Sequence, residues 1–191
     1  MTSDLSAQHA RQAVQTWLET VVIGLNLCPF AKHPWQKAQV HLQVCQATDE
    51  ETLLQNLAQA IEHLLDESSC APETTILIVT ELLSDFYDYQ QFLNWAQALI
   101  RRHGWQKKVQ IASFHPDYQF AGSDCEDPAN LTNRAPYPLL HLLRETSLEK
   151  ALAHYPHPPE TIFQNNMATM HALNAHQKHQ YFPYLFEKPL S

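Results

Sequence analysis

Glycine is scarce in this chain of 191 residues, which contains only Gly24, Gly104 and Gly122. The phosphate-binding loops of nucleotide-binding proteins need several glycines within one turn, because the backbone must approach the phosphates closely. No two of the three glycines share a turn. The sequence therefore excludes a glycine-rich phosphate loop and a dinucleotide-binding fingerprint.

Positive charge is also in short supply. The chain has 12 Lys and Arg residues against 20 Asp and Glu residues, which gives a formal net charge of −8 at pH 7. Proteins that bind nucleic acid neutralise phosphates with clustered basic side chains, and the sequence has no such cluster. We therefore expect no nucleic-acid partner.

Long apolar runs and closely spaced cysteines are missing as well. No segment approaches the roughly 18 apolar residues that a membrane-spanning helix needs, and the first dozen residues do not resemble a signal peptide. The four cysteines, Cys28, Cys45, Cys70 and Cys125, lie far apart and form no C-x-x-C motif. These features predict reduced thiols, no membrane partner and a cytoplasmic location.

Hydrophobic periodicity predicts helices and strands in the order α-β-α-β-α-β. Apolar residues at helical spacing predict a helix over about 6–25, and further amphipathic helices begin near Thr48 and Phe86. The segments 40–44, 74–80 and 109–114 have the character of strands. The fold class expected is α/β (or α+β), with a small three-stranded sheet covered by helices. The helices between strands favour parallel crossovers, but antiparallel pairing stays open.

The chain is expected to form a single domain over 1–191. Its parts are an α/β core (1–114), a long loop that is the candidate site (115–138), and C-terminal helices with an aromatic tail (139–191). The last part is predicted to hold a short helix from about 138 and another over 159–175. The aromatic residues 181–186 must be buried against their own domain or against a second copy, so a homo-oligomer is one expectation.

Residues able to do chemistry are densest between 115 and 145. If the strands are parallel, the loop 115–138 leaves the carboxyl end of the third strand, where open α/β sheets place their ligands. The candidate catalytic residues are His115, Asp117, His141 and Glu145, and the candidate substrate-binding residues are Asn133, Arg134, Tyr137 and Arg144. On the short helix expected from 138, the side chains at 141, 144 and 145 would share one face.

Each candidate has an alternative role in maintaining the fold. His115 and His141, with Glu145 or Asp117, could ligate a divalent zinc, iron or manganese ion. Alternatively, His115 could cap the end of the strand and His141 could bond a loop carbonyl. Arg134 and Arg144 could clamp a carboxylate or phosphate, or could tie the acidic loop to its helix.

Cys28 is a candidate thiol beside a proline and near a histidine. Its alternative is a small buried apolar side chain, because the carboxyl end of a helix does not favour a thiolate.

Four segments together resemble one known family. They are 27–31 (LCPFA), 114–122 (FHPDYQFAG), 133–138 (NRAPYP) and 141–145 (HLLRE). The pattern resembles that of family 1415 of domains of unknown function, and the resemblance covers nearly the whole chain. It implies a single-domain extent but no mechanism. The family pattern has serine where this chain has Ala135, so a hydroxyl role there is not expected.

From the residues we expect a small enzyme that acts on an anionic small molecule. The arginines would hold the anion, and His115 or His141 would act as general acid–base, with its pKa tuned by Asp117 or Glu145. A divalent metal ion is optional in this hypothesis. The alternative is a non-catalytic ligand-binding or interaction protein, in which the same cluster is structural.

Overall fold

A computed structural model describes residues 2–66 and 71–186 of the chain, so Cys70 lies outside the described residues. The helices are α1 (Thr2–Trp17), α2 (Lys32–Gln36), α3 (Glu50–Leu65), α4 (Phe86–Arg102), α5 (Glu145–Ala153), α6 (Glu160–Ala172) and α7 (Ala175–Tyr181). The strands are β1 (Val40–Cys45), β2 (Thr74–Val79), β3 (Val109–Phe114) and β4 (Leu139–Arg144). A π-helical segment (Leu18–Ile23) follows α1, and 3₁₀ turns lie at Pro128–Thr132 and Pro183–Leu185. No helix in the described ranges has the length and apolar character needed to cross a membrane.

The four strands form one mixed sheet in the order β1-β2-β4-β3. β1 and β2 are parallel, and β4 is antiparallel to both of its neighbours, β2 and β3. β1, β2 and β3 therefore run in the same direction, and β4 runs against them between β2 and β3. The α/β class is confirmed, but the sheet has four strands where three were expected.

The fourth strand replaces the short helix expected from 138. Leu140 and Leu142 pack in the core on one face of the sheet, while Leu139 packs on the other. A run of leucines with one histidine can bury both faces of a central strand as well as several faces of a helix, so its local pattern is ambiguous. The shared helical face proposed for His141, Arg144 and Glu145 is therefore wrong, because His141 and Arg144 belong to this strand and Glu145 begins the next helix, α5.

Two hydrophobic cores lie on the two faces of the sheet. On one face, α3 and α4 pack against β2 and β4 through residues that include Leu57, Phe92, Leu77 and Leu140. On the other face, α1, the π-helical segment and the C-terminal region pack against Ile76 and Leu139. Phe182 of the aromatic tail is fully buried in this second core, so it covers its own chain.

A buried tyrosine connects α4 to the end of the sheet. The hydroxyl of Tyr89 donates to the carbonyl of Leu139 (2.7 Å) and accepts from the backbone N–H of Phe114 (3.1 Å). Phe114 and Leu139 are paired across β3 and β4. The hydroxyl thus satisfies backbone groups of both strands where the ladder ends.

Several helix ends differ from the sequence-based expectations. The N-cap of α3 is Asp49, whose carboxylate accepts from the N–H of Thr52 (2.8 Å), and not Thr48. The last helix expected over 159–175 corresponds to α6, which ends at Ala172 because Leu173 leaves the helical conformation. Asn174 then opens a further helix, α7, with a capping box. In both places the capping side chain sets the boundary.

The helix expected over 6–25 changes to π geometry after Trp17 and ends at Gly24. A Cβ at Gly24 would collide with the backbone carbonyl oxygen of Thr20. Glycine at this position therefore permits the close approach of two turns. π-Helical turns often lie at functional sites, and this segment forms one wall of the cavity described below.

Candidate functional site

A cavity of about 620 Å³ lies over the face of the sheet opposite α3 and α4. Its floor is formed by side chains of four strands that point to the same face, among them Val40, Thr74, Ile76, Ala112, Leu139 and His141. Its walls come from the π-helical segment, residues 28–31, α2 and α5. A volume of this size lies within the range of about 300–1,000 Å³ typical of small-molecule sites.

The lining is mostly apolar and rich in aromatic rings. Trp17 and Phe114 meet edge to face with their ring centroids 5.3 Å apart, and Phe30 meets Tyr155 in the same way at 5.6 Å. Trp35 adds a fifth ring to the lining. Aromatic walls of this kind favour flat, apolar ligands, since faces and edges of rings pack well against each other.

His141 is the polar group in the middle of the cavity floor. Its Nε2 lies 2.7 Å from the hydroxyl oxygen of Thr74, and that hydroxyl donates its proton to the carbonyl of Leu142 at 2.7 Å. Because a threonine hydroxyl has one proton, Nε2 of His141 must be the donor in the first contact. The neutral ring is therefore protonated at Nε2, and Nδ1 carries a lone pair.

The charge state of His141 follows from its surroundings. Desolvation lowers the pKa of His141 to about 4, so the imidazole is neutral at pH 7. No described residue donates a hydrogen bond to its Nδ1. The fully buried side-chain atoms without a partner in the described ranges are His41 Nδ1 and Thr75 Oγ1. Nδ1 of His141 is not one of them, and the His141 side chain lines the cavity.

Cys28 also lines the cavity. Burial raises the pKa of its thiol, and backbone contacts at Phe30 and Ala31 oppose that shift only in part. The thiol is therefore protonated at neutral pH, which makes it a poor nucleophile. The half-buried side chain of Cys28 forms part of a mostly apolar cavity wall.

His115 lies away from the cavity and is fully buried. Its Nε2 bonds to the carbonyl of Leu83 (2.9 Å), and its Nδ1 accepts from the backbone N–H of Asp117 (3.0 Å). The ring also contacts those of Phe86 and Tyr89. Burial lowers the pKa of His115. Both ring nitrogens thus have partners within the protein.

The candidate residues of the loop 115–138 mainly hold the loop itself. Arg134 donates through Nε to the carbonyl of Tyr118 (3.2 Å) and through Nη2 to that of Cys125 (2.9 Å). Asn133 donates to the carbonyl of Ser113 (3.0 Å). Both partners of Arg134 are backbone carbonyls of the loop 115–138, so these bonds join parts of the loop to each other.

A residue not among the candidates organises the same loop. Asn130 is fully buried, and its side-chain oxygen accepts from the N–H of Phe120 (3.0 Å) and the hydroxyl of Ser123 (2.9 Å). Its amide donates to the carbonyl of Asp124 (2.8 Å). An internal hydrogen-bond network therefore holds this long loop in one conformation.

The sequence-predicted residues divide into two groups. His141, Arg144 and Cys28 line the cavity, whereas the lining contains none of His115, Asp117, Asn133, Arg134, Tyr137 and Glu145. The guanidinium of Arg144 donates to the carbonyl of Leu64 while it lines one end of the cavity. Within residues 2–66 and 71–186, no group of three or more His, Cys, Asp or Glu side chains is arranged to hold a metal ion. The proposed metal ligands His115, His141 and Glu145 are thus not brought together.

Sequence reasoning missed Thr74, which sets the protonation of His141, and the aromatic walls. A signal for part of the wall was present in the segment 27–31, since Cys28, Pro29, Phe30 and Ala31 all line the cavity. Thr74 carried no separate signal, because its contact with His141 depends on the pairing of β2 with β4.

Comparison with known protein families gives a match over most of the chain. The family model described as "Protein of unknown function (DUF1415)" matches residues 9–180. No curated protein and no solved structure matches the chain. The match covers most of the chain and includes every residue named above as lining the cavity.

Proposed function

We propose, from the premise that the chain belongs to the DUF1415 family of proteins of unknown function, that it binds a small and mostly apolar molecule in the cavity over its sheet. The family description supplies no ligand, so the proposal depends on the site alone. The observation that carries it is Nδ1 of His141, an acceptor to which no residue in 2–66 or 71–186 donates, on the floor of a largely apolar cavity of about 620 Å³.

The energetics of such a site favour occupation by a ligand. Apolar surface gains about 25 cal/mol for each Å² removed from water, and aromatic walls offer a large area to a flat molecule. One polar group among apolar walls is the arrangement by which small-molecule sites fix the orientation of a ligand. The cavity thus combines an apolar contact area with one orienting contact.

The test is binding of a neutral fluorescent naphthalene derivative, N-phenyl-1-naphthylamine, to the full chain. We expect saturable binding at one site per chain. The variant Ala151→Phe places a benzyl group at the cavity wall formed by α5, so it should weaken binding at least tenfold. The matched control is Ala153→Phe, because Ala153 is exposed on the same helix and does not line the cavity.

Two results would contradict the proposal. One is the absence of saturable binding by the wild-type chain. The other is equal binding by wild type and a folded Ala151→Phe variant, because the probe would then occupy another surface. Circular dichroism of both variants establishes that they are folded.

An enzyme acting on an anionic molecule remains a second candidate. It is supported by Arg144, which lines the same cavity as His141. In this candidate the guanidinium holds the anionic end of a substrate, and Nδ1 of His141 accepts a proton from it. It predicts that 2-naphthoate binds more tightly than naphthalene, and that Arg144→Gln removes this preference. Equal affinity for the two molecules would contradict it.

A further inference from the structure

The cavity floor distinguishes between ligands by the direction of a single hydrogen bond. Thr74 fixes the neutral tautomer of His141, because its hydroxyl proton is used by the carbonyl of Leu142. The imidazole therefore presents a lone pair at Nδ1 and no proton to the cavity. A lone pair attracts a hydroxyl or N–H donor, but repels a carboxylate, a phosphate or a carbonyl oxygen.

The position of the charged groups agrees with this distinction. Glu73 and Arg144 both line the cavity at the end where β2 begins and β4 ends, next to the paired residues Thr74 and Leu143. The negative charge of Glu73 and the positive charge of Arg144 are thus both at one end of the cavity. Beside the imidazole, the lining includes the hydroxyl of Thr74 and the apolar side chains of Ile76, Ala112 and Phe114.

We propose that the ligand of this cavity is a neutral aromatic molecule with a hydroxyl or N–H group, and that this group donates its hydrogen bond to Nδ1 of His141. This inference rests on the proposed function and adds the chemical class and orientation of the ligand. The ring of the ligand lies among the aromatic walls, and its donor points to the floor. The site consequently rejects a ligand of the same shape that has no donor.

The selectivity has a physical cause on the protein side. A ligand without a donor would bury Nδ1 without a hydrogen bond, which costs the desolvation free energy of that atom. A site built to bond a ligand hydroxyl rejects the analogue that lacks it for the same reason. We therefore expect about a tenfold difference in affinity between a donor-bearing ligand and its methylated analogue.

The experiment compares 1-naphthol with 1-methoxynaphthalene by isothermal titration calorimetry on the full chain at pH 7. We expect 1-naphthol to bind about tenfold more tightly. His141→Leu should remove the difference by weakening naphthol binding, with little change for methoxynaphthalene. Equal affinities of the two molecules for the wild-type chain would overturn the inference and leave the proposed function intact. If neither molecule binds, the inference is overturned as well, and the proposed function is then decided by its own probe, N-phenyl-1-naphthylamine.

A second measurement does not depend on a variant that folds. Nitrogen-15 NMR of the histidine rings distinguishes a protonated nitrogen from one with a lone pair. We expect His141 to show a protonated Nε2 and an unprotonated Nδ1 at pH 7, and the Nδ1 resonance to shift on addition of 1-naphthol. A ring protonated at Nδ1, or an Nδ1 resonance unmoved by saturating naphthol, would overturn the inference.

Thr74→Val is the matched control for the tautomer. It removes the hydroxyl that fixes Nε2 as the protonated nitrogen, while it retains the shape of the side chain. Either tautomer can then face the ligand, so the preference for 1-naphthol should fall several-fold. A preference that is unchanged in this variant would show that Thr74 does not set the selectivity, and would contradict the argument above.

Discussion

Trp17 and Tyr184 donate hydrogen bonds to the same acceptor, the carbonyl oxygen of Arg134. The indole Nε1 and the phenol oxygen each lie 3.1 Å from it, although the two residues come from opposite ends of the chain. Desolvation raises the pKa of the Tyr184 hydroxyl well above its ordinary value, so it remains a donor. The carbonyl has two lone pairs and can accept both bonds. This contact joins α1, the loop 115–138 and the aromatic tail.

The shared acceptor predicts a cooperative loss of stability. Tyr184→Phe should lower the free energy of unfolding by about 1 kcal/mol, because the carbonyl keeps its bond from Trp17. The double variant Trp17→Phe/Tyr184→Phe should lose more free energy of unfolding than the two single variants together, since the carbonyl of Arg134 then has neither donor. Urea unfolding measures each value, and the exposed Tyr87→Phe serves as control. Additive losses would contradict the prediction.

His115 is predicted to support the fold. His115→Ala removes a fully buried ring and leaves the carbonyl of Leu83 and the N–H of Asp117 without their partner. We expect a loss of roughly 2–5 kcal/mol in the free energy of unfolding. The control is His171→Ala, which removes an exposed histidine paired with Asp127. A melting temperature that is nearly unchanged in His115→Ala would instead favour the catalytic role expected from the sequence.

Gly24→Ala is predicted to destabilise the π-helical segment. The added methyl would collide with the carbonyl oxygen of Thr20, and backbone cannot move aside as a flexible side chain can. We expect the free energy of unfolding to fall by about 1–3 kcal/mol. Binding of N-phenyl-1-naphthylamine should also weaken, because Val22 and Ile23 of this segment line the cavity. Gln12→Ala on the exposed face of α1 is the control. A variant as stable as the wild type would show that the segment relaxes without strain.

Stability should decrease as the pH falls from about 6.5 towards 4. The pKa of His141 is lowered to about 4 in the folded state, so in this range the unfolded chain binds a proton that the folded chain does not. Burial lowers the pKa of His41 and of His115 in the same direction. The contribution of His141 to this pH dependence is therefore measured as the difference in free energy of unfolding between wild type and His141→Leu across a pH series. Equal pH dependence of the two proteins would contradict the assignment.

The cysteines should differ in their reactivity towards iodoacetamide. Cys125 is exposed, whereas burial raises the pKa of the Cys28 thiol. At pH 7.5 we expect Cys125 to be alkylated much faster, and added 1-naphthol to slow the reaction of Cys28 only. Peptide mass spectrometry assigns each site. Faster alkylation of Cys28 than of Cys125 would indicate an activated thiol and contradict the interpretation of Cys28 as part of an apolar wall.

The sequence predicts well those helices and strands whose conformation follows from the pattern of residues within the same segment. α3 and α4 follow from apolar residues at helical spacing, and β2 from a run of β-branched and apolar residues buried on every side. The sequence did not predict β4, because its leucine-rich segment suits a helix or a strand equally. Hydrogen-bonded pairing with β2 and β3 is what makes it a strand. Tertiary pairing here overrides a local pattern.

The site was predictable only in part for the same reason. The sequence singled out His141, Arg144 and Cys28, which line the cavity, because their residue types can do chemistry. It also directed attention to His115, whose bonds to Leu83 and Asp117 appear only in the folded chain. The cavity has walls from segments far apart in sequence, so no local pattern could outline it.

The central position of β4 constrains the order in which the chain can be assembled. A nascent chain that ends before Leu139 contains β1, β2 and β3, but β3 has no strand to pair with and β2 has one open edge. Open edges of this kind are where strands pair with other molecules. Completion of the sheet must therefore wait until residue 144 has left the ribosome. Contacts between positions so distant along the chain slow folding, and they make truncation before β4 a route to aggregation.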